Sequence, residues 1–547
     1  MGTLLRTTIG DLFDEVASRF PDREALIDLP GGRRYSYQEL LIIVNQLARG
    51  FLKLGIRKGE HLALWTPNLS ESIITEFAAA KIGAVLMTLD TNAQPQQLGY
   101  LLRQSDSQAL IMSEGTNGTE HIEMIRQLCP EVDASAPGQL DCHTLPELRR
   151  LIVISDRTHP GMLTWKGVLE AGRDVPDLLL SERQRSCHAD DVATLLYTSG
   201  TTGAPKGVMS THFGIINTTL ASAENQKLTE KDRLCLSVPL SHMFGCICVV
   251  LAGMIKGAAM VIPSEAFDPK KVLEAISAER CTTIYGSPAA FIAMMEEPEY
   301  RKFNLQSLRT GIMGGAQCPL EVMKRVAGEM GAREIVIGYG QTEASSWITM
   351  TRPDDPLELR VSTVGRPLPN VEVKLIDPLS GREVSTGVVG EICARGFNMK
   401  GYYKMPAATA NAVDSEGWLH TGDLGTMDAD GYLRTTGRMK EVIVHGSETI
   451  YPTEIEEILF CHPKISNVQI FGVPSRTSGE EEVAAWIKLE EGASATEEEI
   501  LQYCRAKLPA SCLPRYIKFV REFPMTLLGK VQKFRMREIA IKEYGLE

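Results

Sequence analysis

The stretch around which this chain is organised is YTSGTTGAPKG, which spans Tyr197 to Gly207. It follows the mostly apolar run 192–197, which is typical of a short buried strand. Its glycines let backbone N–H groups approach an anion, its hydroxyl side chains can donate to phosphate oxygens, and Lys206 adds a compact positive charge. The stretch therefore predicts a polyphosphate-binding loop, although the same residue types also form ordinary surface loops. It is not the P-loop GxxxxGK[ST], because no Ser or Thr follows Lys206.

Length and composition indicate a globular protein of several domains. The 547 residues predict about two to four domains. Hydrophobic residues make up 44% and charged residues 23% of the chain, as in ordinary globular proteins. The net charge of −12 gives no reason to expect nucleic acid as a partner.

The cysteines and the apolar segments indicate in which cellular compartment the protein lies and whether it spans a membrane. The twelve cysteines are scattered without a CxxC pair, which predicts a reducing compartment and no structural zinc. The N-terminus lacks the apolar core of a signal peptide. The most apolar window, 245–262, is interrupted by glycines and Lys256, so we expect no transmembrane segment and a cytoplasmic protein.

Predicted strands and helices alternate along most of the chain. Between 190 and 343, six apolar runs are separated by five helical segments, which favours a parallel sheet covered by helices. After 360 the pattern changes to strands, and an α+β unit begins near 437. We predict an α/β fold class, with a large N-terminal domain of parallel-rich sheets with helices plus a small β-layer, and a smaller α+β C-terminal domain. Ligands of such sheets bind beyond the carboxyl ends of strands, and polar or glycine-rich loops follow strands at 197–203, 239–245, 285–288, 313–319 and 339–343.

Five motifs, in this order, resemble the adenylate-forming superfamily of acyl-CoA synthetases, firefly luciferase and peptide-synthetase adenylation domains. They are YTSGTTGAPKG (197–207), YGQTE (339–343), TGD (421–423), GRMKE (437–441) and PMTLLGK (524–530). Each is of moderate specificity alone, but together they are highly specific. The resemblance covers almost the whole chain, and the run 523–538 is most similar to medium-chain fatty acyl-CoA synthetases. It implies an N-terminal adenylation domain at 1–438 and a mobile C-terminal domain at 439–547 that carries a catalytic lysine.

The resemblance implies a two-step reaction that uses ATP, Mg²⁺ and coenzyme A. A carboxylic acid, expected to be a medium-chain fatty acid or a related one, attacks the α-phosphorus of ATP and gives an acyl-adenylate and pyrophosphate. The thiol of coenzyme A then displaces AMP. Because carboxylate and polyphosphate repel each other, the first step needs charge compensation more than covalent catalysis. A monomer or a homodimer is expected.

The resemblance also assigns nucleotide-binding roles by position. The phosphates are expected to contact Thr198, Ser199, Gly200, Thr201, Thr202, Gly203 and Lys206. The adenine is expected to be flanked by Gly314, Gly315 and Ala316, with Tyr339 stacked on it. Asp423 would accept both ribose hydroxyls, with Arg438 assisting; the structural alternative for Asp423 is an ordinary turn aspartate.

Four residues are expected to be catalytic: Lys530, His242, Thr342 and Glu343. Thr342 would contact the α-phosphate and Glu343 would bind magnesium. Lys530 would reach the α-phosphate and the substrate carboxylate, and His242 would lie beside that carboxylate and later the thiol path. The structural alternatives are a helix-start carboxylate for Glu343, a solvated charge for Lys530 and a structural histidine for His242.

The remaining assignments concern the second step and the acyl group. Lys440 matches the hinge position, with a surface lysine as the alternative, and Gly446 and Ser447 match the coenzyme A path. Related enzymes usually have a sequence close to RGGENIYP where this chain has HGSETIYP (445–452). A side chain at Ser447 predicts slower thioester formation than adenylation. The expected acyl pocket comprises Phe244, Gly340 and Trp347; an indole there would favour short, medium or aromatic acids, unless Trp347 is a core residue.

Three other functions remain open from the sequence. The first is an adenylating enzyme that loads a separate carrier protein or another acceptor. The second is a luciferase-like oxygenase, which light emission with a luciferin would reveal. The third is a nucleotide sensor without catalysis, which the joint presence of the charged motif residues disfavours. Acid-dependent release of pyrophosphate separates the enzymes from the sensor.

Overall fold

The computed structural model describes residues 4–116, 119–198, 205–316, 318–445, 448–476, 480–525 and 531–546. These residues fall into two compact units. The large unit comprises 1–372 and 394–419, and the small unit comprises 373–393 and 420–547. The boundary predicted at 438/439 has a different meaning, because it is where a C-terminal domain is expected to move. It stays a prediction.

Two parallel-rich sheets form the large unit. The nine-stranded sheet has the order Arg366–Pro367, Thr349–Met350, Glu334–Tyr339, Thr310–Met313, Thr283–Gly286, Arg233–Cys235, Ala259–Ile262, Glu24–Asp28 and Arg33–Ser36. The eight-stranded sheet has the order Gly401–Tyr402, Lys206–Thr211, Val192–Thr198, Val85–Thr88, His61–Trp65, Ser107–Ser113, Arg150–Ile154 and Leu163–Thr164. The central strands of both sheets pair in parallel. Both edges of the nine-stranded sheet are antiparallel, as is one edge of the eight-stranded sheet, whereas its other edge strand, Leu163–Thr164, is parallel to its neighbour.

Helices cover these sheets, as the alternating pattern predicts. The α-helices of the large unit are Ile9–Arg19, Tyr37–Lys53, Ser70–Ile82, Pro95–Gln104, His121–Leu128, Trp165–Gly172, Asp177–Arg185, His212–Asn225, Met243–Gly245, Ala252–Lys256, Pro269–Glu279, Pro288–Met295, Leu320–Gly328, Leu357–Ser362 and Pro406–Ala412. Short 3₁₀ turns lie at Val132–Ala134, Tyr300–Lys302 and Thr342–Ala344. Cys246–Leu251 is a π-helical segment, a feature that the sequence pattern did not predict. Among the described residues, none of the helices is both long and apolar enough to cross a membrane.

Local sequence signals explain several helix starts. Ser36 accepts from the backbone N–H of Glu39, and the Glu39 carboxylate accepts from the backbone N–H of Ser36 at 2.8 Å. This is the predicted capping box, which satisfies two backbone donors at the helix start. By contrast, helix Ser70–Ile82 is buried along its whole length and shows no polar face. Its Phe77 stacks on Phe13, with ring centroids 4.6 Å apart.

The small unit contains a four-stranded sheet followed by the predicted α+β structure, whereas the sequence placed the small β-layer in the large N-terminal domain. The sheet has the order Glu372–Ile376, Gly390–Arg395, Leu419–Met427 and Leu433–Arg438. A hairpin follows at Ile443–His445 and Glu448–Ile450, and a second sheet orders Ile465–Pro474, Glu481–Leu489 and Tyr516–Phe519. The helices of this unit are Pro452–Phe460, Glu497–Arg505 and Lys533–Tyr544, with 3₁₀ turns at Met439–Glu441 and Ala510–Cys512.

One feature of the large unit differs from the expectation of a reducing compartment. Cys129 and Cys142 form a disulfide. The other ten cysteines are reduced, and eight of them are buried. The segment 113–150, which the sequence predicts to be loop-rich, also contains the helix His121–Leu128 and a short hairpin, Gly115–Thr116 with Thr119–Glu120.

Candidate active site

The predicted phosphate stretch lies between two antiparallel strands. Val192–Thr198 pairs with Lys206–Thr211, and Thr198 is the register partner of Lys206. The sequence predicted a strand leading through a loop directly to a helix, and this is wrong because it missed the second strand. Ser199, Gly200, Thr201, Thr202 and Gly203 lie outside the described residues, so their role stays a prediction.

Helix Pro95–Gln104 fixes the two ends of this hairpin. The Tyr197 hydroxyl donates to Gln104 Oε1, and the Tyr100 hydroxyl donates to the Pro205 carbonyl, next to Lys206, at 3.4 Å. Burial raises the pKa of Tyr197 above its usual range, so this hydroxyl remains a donor at neutral pH. The strand ends that carry Thr198 and Lys206 are therefore held by side-chain hydrogen bonds as well as by the ladder.

Glu343 is the buried carboxylate of the large unit's candidate site. It lies in the 3₁₀ turn Thr342–Ala344 and its exposed fraction is 9%. Its Oε1 accepts a hydrogen bond from the Tyr402 hydroxyl at 2.8 Å, and its carbonyl accepts from the Met399 N–H at 2.7 Å. Burial and the neighbouring carboxylate raise the pKa of Tyr402 above its usual range, so Tyr402 stays protonated and donates.

Tyr402 also joins Glu343 to the hairpin. The Lys206 ammonium lies 4.7 Å from the centroid of the Tyr402 ring, a cation–π distance. Tyr402 is the register partner of Val208 in the short edge strand Gly401–Tyr402. The edge of the eight-stranded sheet and the turn that carries Glu343 thus bring together a lysine, a carboxylate and a phenol from three distant segments. The sequence analysis missed Tyr402, and the only local signal is a tyrosine pair after a glycine in GYYK (401–404).

A strained turn follows Glu343. Ser345 has φ 54° and Ser346 has φ 122°, in the left-handed region that non-glycine residues rarely occupy. Thr218 of helix His212–Asn225 holds this turn, because its hydroxyl donates to the Ser345 carbonyl at 2.8 Å and meets the Ser346 hydroxyl at 3.2 Å. Gly214 lies against the turn, since a Cβ there would come within 2.7 Å of Ser345 Oγ. Such strain persists only where the surroundings enforce it, which is common at functional sites.

The residues predicted around adenine lie at one edge of the nine-stranded sheet. Strands Thr310–Met313 and Glu334–Tyr339 are parallel neighbours, and Met313 pairs with Ile337. Gly314, Gly315 and Ala316 follow the first strand, and Tyr339 ends the second. Gly315 has φ 88°, which explains the glycine at that position. The arrangement agrees with the predicted convergence of strand ends, while contact with adenine stays a prediction.

The three residues of the predicted acyl pocket pack close to this edge. Phe244 and Trp347 meet edge to face, with ring centroids 5.7 Å apart. The indole lies over two glycines, since a Cβ at Gly338 would come within 2.7 Å of its Cζ3 and one at Gly314 within 3.7 Å of its Cη2. A side chain at Gly340 would collide with the Ser346 carbonyl at 1.9 Å. Trp347 is 7% exposed, and its Nε1 has no hydrogen-bond partner in the described part of the chain.

His242 begins the helix that carries Phe244. Its Nδ1 accepts from the Phe244 backbone N–H at 3.0 Å, which makes it the N-cap of Met243–Gly245. This contact orients the ring, because it fixes Nδ1 as the acceptor and leaves Nε2 as the protonated nitrogen. This capping contact agrees with the structural alternative for His242. It is also compatible with the predicted catalytic role of the same side chain.

The predicted ribose residues form a pair in the small unit. Asp423 and Arg438 are register partners on the strands Leu419–Met427 and Leu433–Arg438. Arg438 Nε lies 2.9 Å from Asp423 Oδ1, and the Asp423 side chain is only 10% exposed. The Thr421 hydroxyl accepts from the Asp423 N–H at 3.1 Å and donates to the Ile392 carbonyl at 2.7 Å. The TGD turn is therefore fixed at both ends.

The other predicted residues are less constrained. Lys440 lies in the turn Met439–Glu441, directly after the Arg438 strand. Thr342 opens the turn that carries Glu343. Gly446, Ser447 and Lys530 fall outside the described residues, so the coenzyme A path and the catalytic lysine stay predictions.

The parallel-rich large unit, the small α+β unit and the hydroxyl-rich hairpin define the class of adenylate-forming enzymes. Residues 13–403 match the family profile described as AMP-binding enzyme, and residues 454–530 match the AMP-binding enzyme C-terminal domain. The chain belongs to this family of AMP-binding enzymes. The resemblance, the fold class and the prediction of an enzyme are thereby confirmed.

Full-length relatives carry ligase names. A putative acyl-CoA synthetase of Bacillus subtilis, YngI, is 46% identical over 100% of this chain and 99% of its own length. The mitochondrial medium-chain acyl-CoA ligase ACSF2 of Danio rerio is 36% identical over 99% of this chain and 90% of its own. Among solved structures, the anthranilate CoA ligase AuaEII in complex with anthranoyl-AMP has a TM-score of 0.85 at 26% identity, with 99% of each chain covered.

Proposed function

We propose that this chain is an AMP-forming acyl-CoA synthetase: it activates a carboxylic acid with ATP as an acyl-adenylate and transfers the acyl group to coenzyme A. The observation that carries this proposal is the cluster of Lys206, Glu343 and Tyr402, in a chain whose full-length relatives are named acyl-CoA synthetase and acyl-CoA ligase. A cation and a buried carboxylate that both contact Tyr402 suit a polyphosphate substrate with its magnesium counterion.

The charges of the cluster suggest how each residue acts. Lys206 would neutralise phosphate oxygens, and its place over the Tyr402 ring limits where the ammonium can go. Glu343 fits a magnesium ligand, because Mg²⁺ prefers carboxylate oxygens and Tyr402 orients this one through Oε1. When bound, the ion would offset the repulsion between the acid and the triphosphate. Thr342, next to Glu343, would donate to the α-phosphate.

Asp423 would select the nucleotide through its ribose. A carboxylate that is buried, paired with Arg438 and backed by Thr421 is a fixed acceptor for two neighbouring hydroxyls. Lys530 would act in adenylation, and Gly446 and Ser447 would border coenzyme A in the second step. We keep 439–547 as the proposed mobile domain, with Lys440 at its hinge.

We propose a medium-chain or aromatic acid as the substrate. The name of the Danio rerio relative supports a medium chain, and the name of the AuaEII structure supports an aromatic acid. The edge-to-face pair of Phe244 and Trp347 offers apolar, aromatic walls for such an acid. A monomer or homodimer in the cytoplasm remains part of this proposal.

The test is acid-dependent release of pyrophosphate from ATP, with and without coenzyme A. The panel runs over straight-chain acids from butanoate to hexadecanoate, with benzoate and anthranilate added. Release that rises with coenzyme A, together with equal amounts of AMP and thioester, supports the synthetase and identifies its acid. Glu329→Gln, on the exposed helix end where Glu329 pairs with Arg325, is the control variant that keeps full activity.

Two results would contradict the proposal. Acid-independent ATP cleavage, or none at all, would exclude adenylation. Release of about one equivalent per enzyme that coenzyme A does not raise would mean that adenylation works but the thiol step does not, either because another acceptor is used or because Ser447 blocks that step. In that case Ser447→Gly tests the second step, because restored thioester formation would assign the block to that side chain.

A further inference from the structure

Three side chains with metal-binding atoms lie together in the small unit, outside the residues assigned above. Glu391 and Cys393 are two apart on the strand Gly390–Arg395, and alternation places them on one face. His420 lies on the neighbouring strand Leu419–Met427. The carboxylate oxygen, the sulfur and the imidazole nitrogen all lie within 4.8 Å of one another.

The spacing of these atoms fits one metal ion. Glu391 Oε2 is 3.0 Å and Cys393 Sγ is 3.7 Å from His420 Nδ1. Tetrahedral zinc with ordinary bond lengths sets an O–N separation of about 3.4 Å and an S–N separation of about 3.6 Å between its ligands. Small rotations of the Glu391 and His420 side chains would therefore complete the geometry.

We propose that Glu391, Cys393 and His420 bind a divalent transition ion of the zinc class, with water as the fourth ligand. Sulfur and imidazole ligands select zinc, cobalt or copper over magnesium and calcium, which prefer oxygen. The site is thus chemically distinct from Glu343 in the large unit. Glu391 and Cys393 are buried, and the His420 side chain is 29% exposed, which gives the ion a path from solvent.

The surroundings hold the ligands in the way that metal sites require. The second carboxylate oxygen, Glu391 Oε1, accepts from the Gly422 N–H at 3.1 Å. Ile392, between the two strand ligands, is tied to Thr421 through its carbonyl. Such contacts orient metal ligands and tune their affinity. They also link the site to the turn that carries Asp423, so the ion would stiffen that turn.

The competing explanation is that His420 and Glu391 form a hydrogen-bonded pair with a thiol nearby and that the three side chains have no affinity for metal.

To separate the two explanations, the full-length protein is stripped of metal with a chelator and titrated with Co²⁺ and then with Zn²⁺. We expect one equivalent of tightly bound cobalt with a near-ultraviolet thiolate-to-cobalt charge-transfer band, which zinc abolishes. Zinc should also raise the melting temperature, since it binds the folded state.

Two matched variants assign the site. Cys393→Ser should lose the charge-transfer band, the thermal shift and at least ~10-fold in metal affinity, while its metal-free melting curve matches the wild type. Cys461→Ser removes an exposed thiol of the same unit and should change none of these. His420→Gln, which keeps Cys393, should weaken binding without removing all of the band.

Several outcomes would overturn the proposal. These are the absence of a thiolate band in the wild type, equal binding by the wild type and Cys393→Ser, or loss of binding in Cys461→Ser. None depends on acid activation, because metal content and spectra are measured without substrate. The metal site and the proposed synthetase activity can therefore fail independently.

Discussion

The two polar groups of this enzyme are assembled in different ways. In the large unit, Lys206, Glu343 and Tyr402 are 59 to 196 residues apart in the sequence, and one edge strand joins them. In the small unit, Asp423 and Arg438 face each other across a single hairpin. The first group depends on how two sheets pack, because Lys206 and Tyr402 belong to the eight-stranded sheet and Glu343 follows a strand of the nine-stranded sheet. The second group needs only a local hairpin. Mutations in the first group should therefore lower the rate of pyrophosphate release, and mutations in the second should raise the KM for ATP.

The largest effect is expected for Glu343→Gln. Losing the charge next to the predicted phosphate site should lower the rate of acid-dependent pyrophosphate release by roughly 100- to 1000-fold. The change keeps the size of the side chain and an acceptor for the Tyr402 hydroxyl, so the melting temperature should stay near that of the wild type. Activity within a few-fold of the wild type would remove Glu343 from the catalytic group.

Asp423→Asn should act on nucleotide binding. Replacing the charged acceptor that pairs with Arg438 by a neutral one should raise the KM for ATP by about 10- to 100-fold, with a smaller change in kcat. Asp430→Asn is the matched control, because it lies in the exposed turn of the same hairpin. Equal KM values for the two variants would show that Asp423 is only a turn residue.

Tyr402→Phe separates the two contacts of the phenol. It removes the hydrogen bond to Glu343 but keeps the ring under Lys206, so activity should fall by about tenfold. Tyr403→Phe, next in the chain, removes a hydroxyl that donates to Asp106 and should have little effect on the rate. If both variants behave alike, the orientation of Glu343 does not depend on Tyr402.

Trp347→Ala should change which acids are accepted rather than the chemistry. Removing the indole beside Phe244 should shift the best substrate to a longer chain, measured as kcat/KM over the same panel of acids. Trp347→Phe should retain most of the wild-type preference. An unchanged profile, with a lower melting temperature from the cavity, would identify Trp347 as a core residue.

The smallest effect on activity is expected for Glu76→Gln, a buried carboxylate that lacks a partner such as Tyr402. Burial raises the pKa of Glu76 from 4.5 to about 8, and its Oε1 has no hydrogen bond within the described residues. The folded protein therefore holds one more proton than the unfolded chain between these values, and stability falls as the pH rises from 4.5 to 8. The Cys246 thiol lies close enough to Glu76 for the two to interact electrostatically. Lys81, on the same helix as Glu76, pairs with Asp14 of the helix Ile9–Arg19.

Melting curves across that pH window test this assignment. The melting temperature of Glu76→Gln should fall less with rising pH than that of the wild type, because glutamine does not titrate. Glu274→Gln, on an exposed helix face, should follow the wild type. Parallel curves for all three proteins would mean that Glu76 ionises normally in the folded state.

Sequence reasoning predicted the fold, the pair of Asp423 and Arg438, and two members of the other polar group, Lys206 and Glu343. Local signals explain these predictions. The capping box of Ser36 and Glu39 lies within four residues, and the turns around TGD bring Asp423 and Arg438 into register. The strand Lys206–Thr211 was missed because it is short and follows a loop that normally leads to a helix. Tyr402 was missed because its partners are set by pairing between distant strands, which no periodicity reports.

The edge strand Gly401–Tyr402 has a consequence for synthesis on the ribosome. It is the last part of the eight-stranded sheet to be translated, so a nascent chain ending before it contains Lys206 and Glu343 without the phenol that joins them. Until then the strand Lys206–Thr211 is an open edge, with donors and acceptors that another chain could pair with. Because the chain is made from its N-terminus, this site is completed late in translation. Chaperones would be needed most just before the strand Gly401–Tyr402 is made.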